Sequence, residues 1–274
     1  MVERVVDQSK NKMLSAIIPS YKDPSLHKTV QSILDNAVGE VEVIVVLDGY
    51  WTVPVDDPRV RVLHIGGNRG MREAINAGVR IARGDILMRT DEHCSFAKGF
   101  DKVIEEDLRD DEIMTPTRYE LDPIQWKRMK LPPINFTKLC IQNVSEGVQK
   151  FTAVPWGERD EELKDVMVAE TMGMQGSCWF MKKSWWEKTI VKLQTEGYGP
   201  LIQDSTEMIF KTWQAGGRMM LNKRTWHAHR HRKFGRTHNN GTKENPAKND
   251  AGYMYAISVW KDYFDTVVRP KWGI

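Results

Sequence analysis

Ala82-Arg83-Gly84-Asp85-Ile86-Leu87-Met88-Arg89-Thr90-Asp91-Glu92-His93-Cys94 is the stretch that decides the fold. Gly84 closes a helical pattern, because a residue without Cβ ends a helix at little cost. Residues 85–88 then read as a short buried strand, and polar residues follow at its carboxyl end. Upstream, Met71, Ala74, Ile75, Gly78, Val79 and Ala82 trace one helical face. Earlier still, residues 14–18 form an apolar run stopped by Pro19. Residues 41–47 form a second run, broken by Asp48-Gly49, and residues 59–65 a third. Between the first two runs, Asp23-Pro24 supplies a helix N-cap and a first-turn proline for a segment reaching about residue 37. Strand, crossover helix and strand in alternation predict an α/β fold with an open, mainly parallel sheet flanked by helices. Its ligands belong outside the carboxyl ends of the strands. Three such ends are polar here: residues 20–23, Asp48, and residues 91–93.

The middle, residues 115–165, carries Pro116, Pro123, Pro132, Pro133 and Pro155, and predicts loops and short pieces. Regular pattern returns at Gly173. Residues 175–181 read as a strand, 184–193 as a helix, and 205–215 as a helix closed by Gly216-Gly217. Tyr253, Ile257, Trp260, Phe264 and Val267 share helical spacing, so a closing amphipathic helix is expected to pack on the body.

A hydrophobic content of 41% with 28% charged residues excludes a disordered or fibrous chain. The apolar runs are strand-sized and far short of the roughly 20 residues that span a bilayer. Residues 1–12 lack the apolar core of a secretory signal, so a cytoplasmic protein without membrane insertion is expected. Cys94, Cys140 and Cys178, odd in number and widely spaced, read as reduced thiols. The net charge of +3 is unevenly spread. No acidic residue lies between Glu207 and Glu244, whereas Lys211, Arg218, Lys223, Arg224, Arg230, Arg232, Lys233, Arg236 and Lys243 all do.

Asp91 and His93 are the sharpest chemical feature. A carboxylate and an imidazole two residues apart at a strand end point the same way, and a diphosphate leaving group needs a divalent cation. Alone, Asp-x-His also fits a turn aspartate and a surface histidine.

Taken together, Ala16-Ile17-Ile18-Pro19-Ser20-Tyr21, Val43-Ile44-Val45-Val46-Leu47-Asp48-Gly49, Asn68-Arg69-Gly70 with Ala74, Asn76 and Gly78, Ala82-Arg83-Gly84-Asp85 and Asp91-Glu92-His93 resemble the family 2 glycosyltransferases of the GT-A fold in order and spacing. The resemblance implies a Rossmann-like catalytic domain, with Pro19, Tyr21 and Asp48 around the base of the donor nucleotide. It implies donor contacts from Asp23, Asn68, Arg72 and Asn76 as well, and a Mn2+ or Mg2+ ion held on the diphosphate by Asp91 and His93. Leu47 stands where the family often has an acidic residue.

The second half resembles the polypeptide N-acetylgalactosaminyltransferases, which also use aspartate, any residue, histidine. Gly176-Ser177-Cys178-Trp179-Phe180-Met181 is similar to their small-residue strand, and Glu207 to Gly217 to their acidic helix ending in Trp-Gln-Cys-Gly-Gly. On this comparison His227 is the third metal ligand and the donor a UDP-sugar. Residues 1–12 are then an N-terminal extension, and 13–235 a single catalytic domain with a nucleotide-sugar half (13–115) and an acceptor half (116–235). Residues 236–274 form a flexible loop and a C-terminal helical tail.

If transfer inverts the anomeric carbon, a carboxylate must take the acceptor proton. Asp204, entering a helix, and Glu207, one turn on, are the candidates, although an Asp there also serves as a plain helix cap. His227, His229 and His231 alternate on an extended segment and face one way, which also suits a structural zinc, while the surrounding arginines and lysine suit a diphosphate, an anionic acceptor or a solvated loop. Gly235 and Asn239-Asn240-Gly241 fit a lid. Trp185, Trp186 and Trp213 are expected in the core, and Trp156, in a loop, is a candidate acceptor platform. The basic run motivates one alternative, transfer to a hydroxymethylated DNA base. A non-catalytic nucleotide-sugar-binding protein is the other. The oligomeric state is not legible.

Overall fold

The computed structural model describes residues 12–52, 55–231 and 246–274. Its first part follows the expected alternation: β1 (Leu14–Ser20), α1 (Leu26–Asn36), β2 (Val41–Asp48), β3 (Val60–Ile65), α2 (Met71–Ile81) and β4 (Ile86–Thr90). Then come β5 (Cys94–Phe96), α3 (Phe100–Asp107), β6 (Glu112–Asp122), β7 (Lys127–Arg128), β8 (Thr137–Ser145), β9 (Val148–Pro155), α4 (Gly157–Glu162) and β10 (Val168–Glu170). The chain closes with β11 (Cys178–Lys182), α5 (Lys183–Trp185), α6 (Asp204–Gln214), β12 (Arg218–His229), α7 (Pro246–Tyr263) and α8 (Arg269–Trp272).

One sheet runs β10-β12-β6-β11-β4-β1-β2-β3, with β5 beside β12 and β7 beside β6. The block β4-β1-β2-β3 is parallel, as is β12 with β6, while β11 lies antiparallel between β4 and β6. Both faces are covered, which is why the strands read as unbroken apolar runs. Along β1, Ile17 faces a core shared with α2, α6 and α7, and Ala16 and Ile18 face a second core with α1 and α3. Trp185, Trp186 and Trp213 are buried, as expected. Among the described residues no helix is long and apolar enough to cross a membrane. All three cysteines are free thiols.

The proline-marked middle is more ordered than the sequence suggests. β6 and the β8–β9 hairpin occupy it. Pro116 lies inside β6, where β12 bulges between Asn222 and Trp226, so the amide that proline lacks falls at a break in the ladder. The closing helix packs on the body with one revision. A π-helical turn at Phe264–Val268 adds a residue to the pitch, so Val268 is buried and Val267 is 46% exposed. A similar turn at Trp186–Ile190 replaces most of the helix expected at residues 184–193.

Candidate active site and metal centre

β4 and β12 converge to build the site. Asp91 leaves β4 with its amide donating to the Ser177 carbonyl at 3.0 Å. The short β5 begins opposite the end of β12, pairing Cys94 with His229. This register swings His93 and His229 together. Their Nε2 atoms lie 3.1 Å apart, His229 Nε2 is 3.1 Å from Asp91 Oδ2, and His93 Nε2 is 3.9 Å from that same oxygen.

Behind His93, Nδ1 meets Asp23 Oδ2 at 2.9 Å. A carboxylate there holds the proton on Nδ1 and leaves the Nε2 lone pair facing the cluster. The other Asp23 oxygen accepts the Ser25 amide at 2.7 Å, and Glu92 accepts the Tyr21 amide at 2.9 Å. Two imidazole nitrogens and a carboxylate oxygen converging without enough protons to link them all form a donor set that suits a divalent first-row cation. His229 Nδ1 is buried without a protein partner.

Electrostatics keep the cluster anionic. Burial pushes the Asp91 carboxyl up, but the Arg89 guanidinium at 2.6 Å and the His229 hydrogen bond outweigh it and hold the acid well below its usual range. Arg89 is itself buried, bonded to the Gly176 carbonyl and, at 2.8 Å, to Met71 Sδ. Burial lowers His229, opposed by Asp91, so its imidazole stays neutral and available as a ligand.

The expected third ligand, His227, is not in this group. It is fully buried one pair back along β12, with Nε2 2.9 Å from Ser177 Oγ. Burial pushes it well below the ordinary histidine value. The alternation of His227 and His229 on one face of a strand is the signal that could have found the second of them.

Glu207, Arg72, Asn76 and Asp23 have protein partners of their own. Glu207 is wholly buried, ion-paired with Arg72 and, at 2.7 Å, with Lys211. Arg72 spends its remaining donors on the carbonyls of Ile202 and Gln194 beneath the Tyr198 ring. Asn76 bonds both the amide and the carbonyl of Leu193, each at 2.8 Å. Arg72 and Asn76 therefore clamp the segment before α6. Asp23 acts through His93 and does not cap α1, whose N-cap is Ser25.

Other expected residues do gather at the strand ends. Pro19 lies opposite Val46 across the parallel pair β1–β2, Tyr21 stands edge-on to Tyr50 at 6.0 Å, and Asp48 ends β2. The Asp48 oxygens accept the amides of Arg69 and Gly70 at 2.6 and 2.7 Å, which folds the Asn68 loop over the same edge. Gly49 permits this: its φ is +77°, and a Cβ would lie 2.3 Å from the Asn68 nitrogen. Asp204 opens α6, is nearly buried, and lies close enough to Arg89 to stabilise its charge.

The acid-free run is not a free basic surface where it is described. Lys211 pairs with Glu207, Arg218 with Glu112, and Arg224 with Glu106 and Asp107, while Lys223 bonds the carbonyls of Leu163 and Lys164. For Arg218 and Arg224 the partners are acids distant in sequence. Arg232, Lys233, Gly235, Arg236, Asn239, Asn240, Gly241 and Lys243 lie outside the described residues. Trp156 is no open platform either, since Trp272 packs edge-on against it and Arg159 covers it.

Comparison with known proteins gives the family and the fold. The family model described as Glycosyl transferase family 2 matches residues 15–189, which takes in Asp23, Asp48, Asp91 and His93 but stops short of Asp204 and His229. A solved structure of GalNAc-T7 with UDP, GalNAc and Mn2+ superposes with a TM-score of 0.70 at 15% identity, over 93% of this chain and 50% of that one. The chain thus spans half the length of that neighbour and shares the fold of its matched half, a GT-A-like sheet flanked by helices. From β1 through β11 the residues match a single family model, and the chain belongs to glycosyl transferase family 2.

Proposed function

We propose that this glycosyltransferase moves a sugar from a nucleotide diphosphate donor, a UDP-sugar, to a hydroxyl acceptor, with Mn2+ or Mg2+ held by Asp91, His93 and His229. One observation carries this reading: three ligand atoms within 4.8 Å of one another at the carboxyl end of β4, with Asp23 behind one imidazole. The ion, when bound, would neutralise charge developing on the departing diphosphate. The protein's own residues do the rest. Asp23 keeps a proton on His93 Nδ1, and Arg89 keeps Asp91 ionised and fixed in direction. Pro19, Tyr21, Asp48 and Asn68 border the nucleotide end. That GalNAc-T7 is described with UDP and Mn2+ supports the donor and the ion. Residues 13–115 we assign to the donor and 116–235 to the acceptor.

Asp204 is the base if the reaction inverts, and a bystander if it retains. Incubation with a panel of nucleotide sugars and Mn2+, with mass analysis of released nucleotide, tests the whole reading. Release by the wild type but not by Asp91→Ala is expected. Equal release by both, or full activity in excess chelator, would refute the metal. Asp204→Asn lowers kcat by about 100-fold or more in an inverting enzyme and little in a retaining one, and the product anomer must agree.

Transfer to a hydroxymethylated DNA base is the second reading. What favours it is a set of unpaired cations beside Trp126 and Trp226, on the far face of β12 from the histidines.

A further inference from the structure

β12 works on both of its faces. His227 and His229 point toward the cluster, and Trp226, one residue earlier, points to the opposite face. There it lines an open groove of about 620 Å³ between α1 and the β6–β7 hairpin, together with Lys28, Ser95, Trp126, Lys127 and Arg128.

The chemistry of this groove is selective. The amides and the carboxylate of its wall hold partners: Gln31 donates to Asp35 at 2.7 Å, Asn36 donates to the Ser32 carbonyl at 2.8 Å, and the Ser32 hydroxyl accepts the Phe96 amide at 3.2 Å, while the Ser95 hydroxyl is left without a protein partner. The cations are not. Among the described residues, no carboxylate lies within ion-pair distance of Lys28, Lys127 or Arg128. Each is associated with the groove's aromatic lining: Lys28 Nζ stands 5.2 Å from the Trp126 ring, Arg128 stands 5.1 Å from the Trp226 ring and 4.8 Å from Tyr119, and Lys127 adjoins Trp126 in the chain.

Trp126 itself is held in an unusual backbone state. Its φ is +55°, a left-handed conformation that costs a bulky residue on the order of 1 kcal/mol and tends to persist at ligand sites. Asp122 fixes it, accepting the amides of Ile124 and Gln125 through its carboxylate and that of Trp126 through its carbonyl. The hairpin beyond is exposed and apolar between its cations, with Ile124 87% exposed.

A neutral glycan would need the amides and carboxylates that are engaged here. Two indoles flanked by unpaired cations instead match a ligand that alternates flat apolar rings with phosphates. We infer that the groove of Trp126, Trp226, Lys28, Lys127 and Arg128 binds a single-stranded nucleic acid segment, with bases on the indoles and phosphates on the cations. Its use in catalysis rests on the DNA-acceptor reading, whereas binding itself does not.

The test is the anisotropy of a labelled 12-nucleotide oligothymidylate titrated with the whole protein, without donor, at several salt concentrations. Wild type is expected to bind with a salt slope of about 2, from roughly 0.7 per phosphate neutralised and three cations. Lys127→Glu with Arg128→Glu lowers affinity about tenfold or more and flattens the slope, and Trp126→Ala lowers it about tenfold through lost stacking. The charge-matched control Lys188→Glu with Lys192→Glu, on exposed positions away from the groove, leaves it unchanged. No binding by the wild type, equal loss in the control, or displacement by heparin with no dependence on Trp126 would each overturn the inference. Donor-dependent transfer to a hydroxymethylated oligonucleotide separates the two ideas. Groove-dependent binding without transfer upholds the groove and removes the DNA acceptor, while transfer that ignores both groove variants upholds the acceptor and removes the groove from catalysis, leaving the anisotropy titration to decide binding.

Discussion

Replacing His229 and His227 singly by alanine should damage two different properties. His229 supplies an Nε2 that converges with His93 and Asp91, so His229→Ala removes a ligand. Loss of a mere supporting partner costs about 10–100-fold in metal affinity, so loss of a ligand itself should cost more than about 100-fold. Its fold should survive, because the residue sits at the end of β12. His227 is the reverse case. It is fully buried, and His227→Ala leaves a cavity and deprives the Ser177 hydroxyl of its partner. Those two effects together cost about 2–4 kcal/mol. For a chain of this size the melting temperature should drop by about 4–16 °C. Calorimetric titration of the metal-free protein with Mn2+, beside thermal unfolding monitored by circular dichroism, reads both. Retained Mn2+ affinity in His229→Ala with its loss in a well-folded His227→Ala would refute the assignment and restore the sequence-based ligand.

Further outcomes follow from the same contacts. Asp23→Asn should weaken Mn2+ by about 10–100-fold in the same titration with little change in melting, since only the orientation and basicity of His93 are altered. Glu207→Gln should cost about 3–5 kcal/mol by leaving Arg72 uncompensated in the interior, while the folded fraction keeps its kcat; a stable variant without turnover would return Glu207 to the catalytic list. Burial, aided by the neighbouring His229 imidazole and the Arg118 guanidinium, depresses His227, so the unfolded chain takes a proton that the native one refuses. Stability from this group is therefore complete above the ordinary value of 6.5 and falls as pH drops below it, and His227→Gln should melt with a shallower acid dependence than wild type.

Much of the fold was legible in the order of residues. Apolar runs ending in Pro19-Ser20, Asp48-Gly49 and Thr90-Asp91, with helices between them, report β1, β2, α2 and β4 because strand and helix periods are local properties and both sheet faces are covered. Asp91 and His93 were legible for the same reason, being two residues apart on one strand exit. Where the partner was distant in sequence, only the tertiary structure shows it. His229 and not His227 meets Asp91 because the pairing of β5 with β12 sets which imidazole lies there, and register is a long-range property. Glu207, Arg72 and Asn76 carry polar groups that read as chemistry, yet packing buries them and pairs them with one another or with the segment at residues 193–202. In the described part of the basic run, Arg218 and Arg224 are paired with Glu112, Glu106 and Asp107 a hundred residues upstream. Conversely the groove at Trp126 and Trp226 joins α1, a hairpin and a late strand. No contiguous stretch of sequence contains it, and it exists only because β6 brings β7 and β12 to the flank of α1.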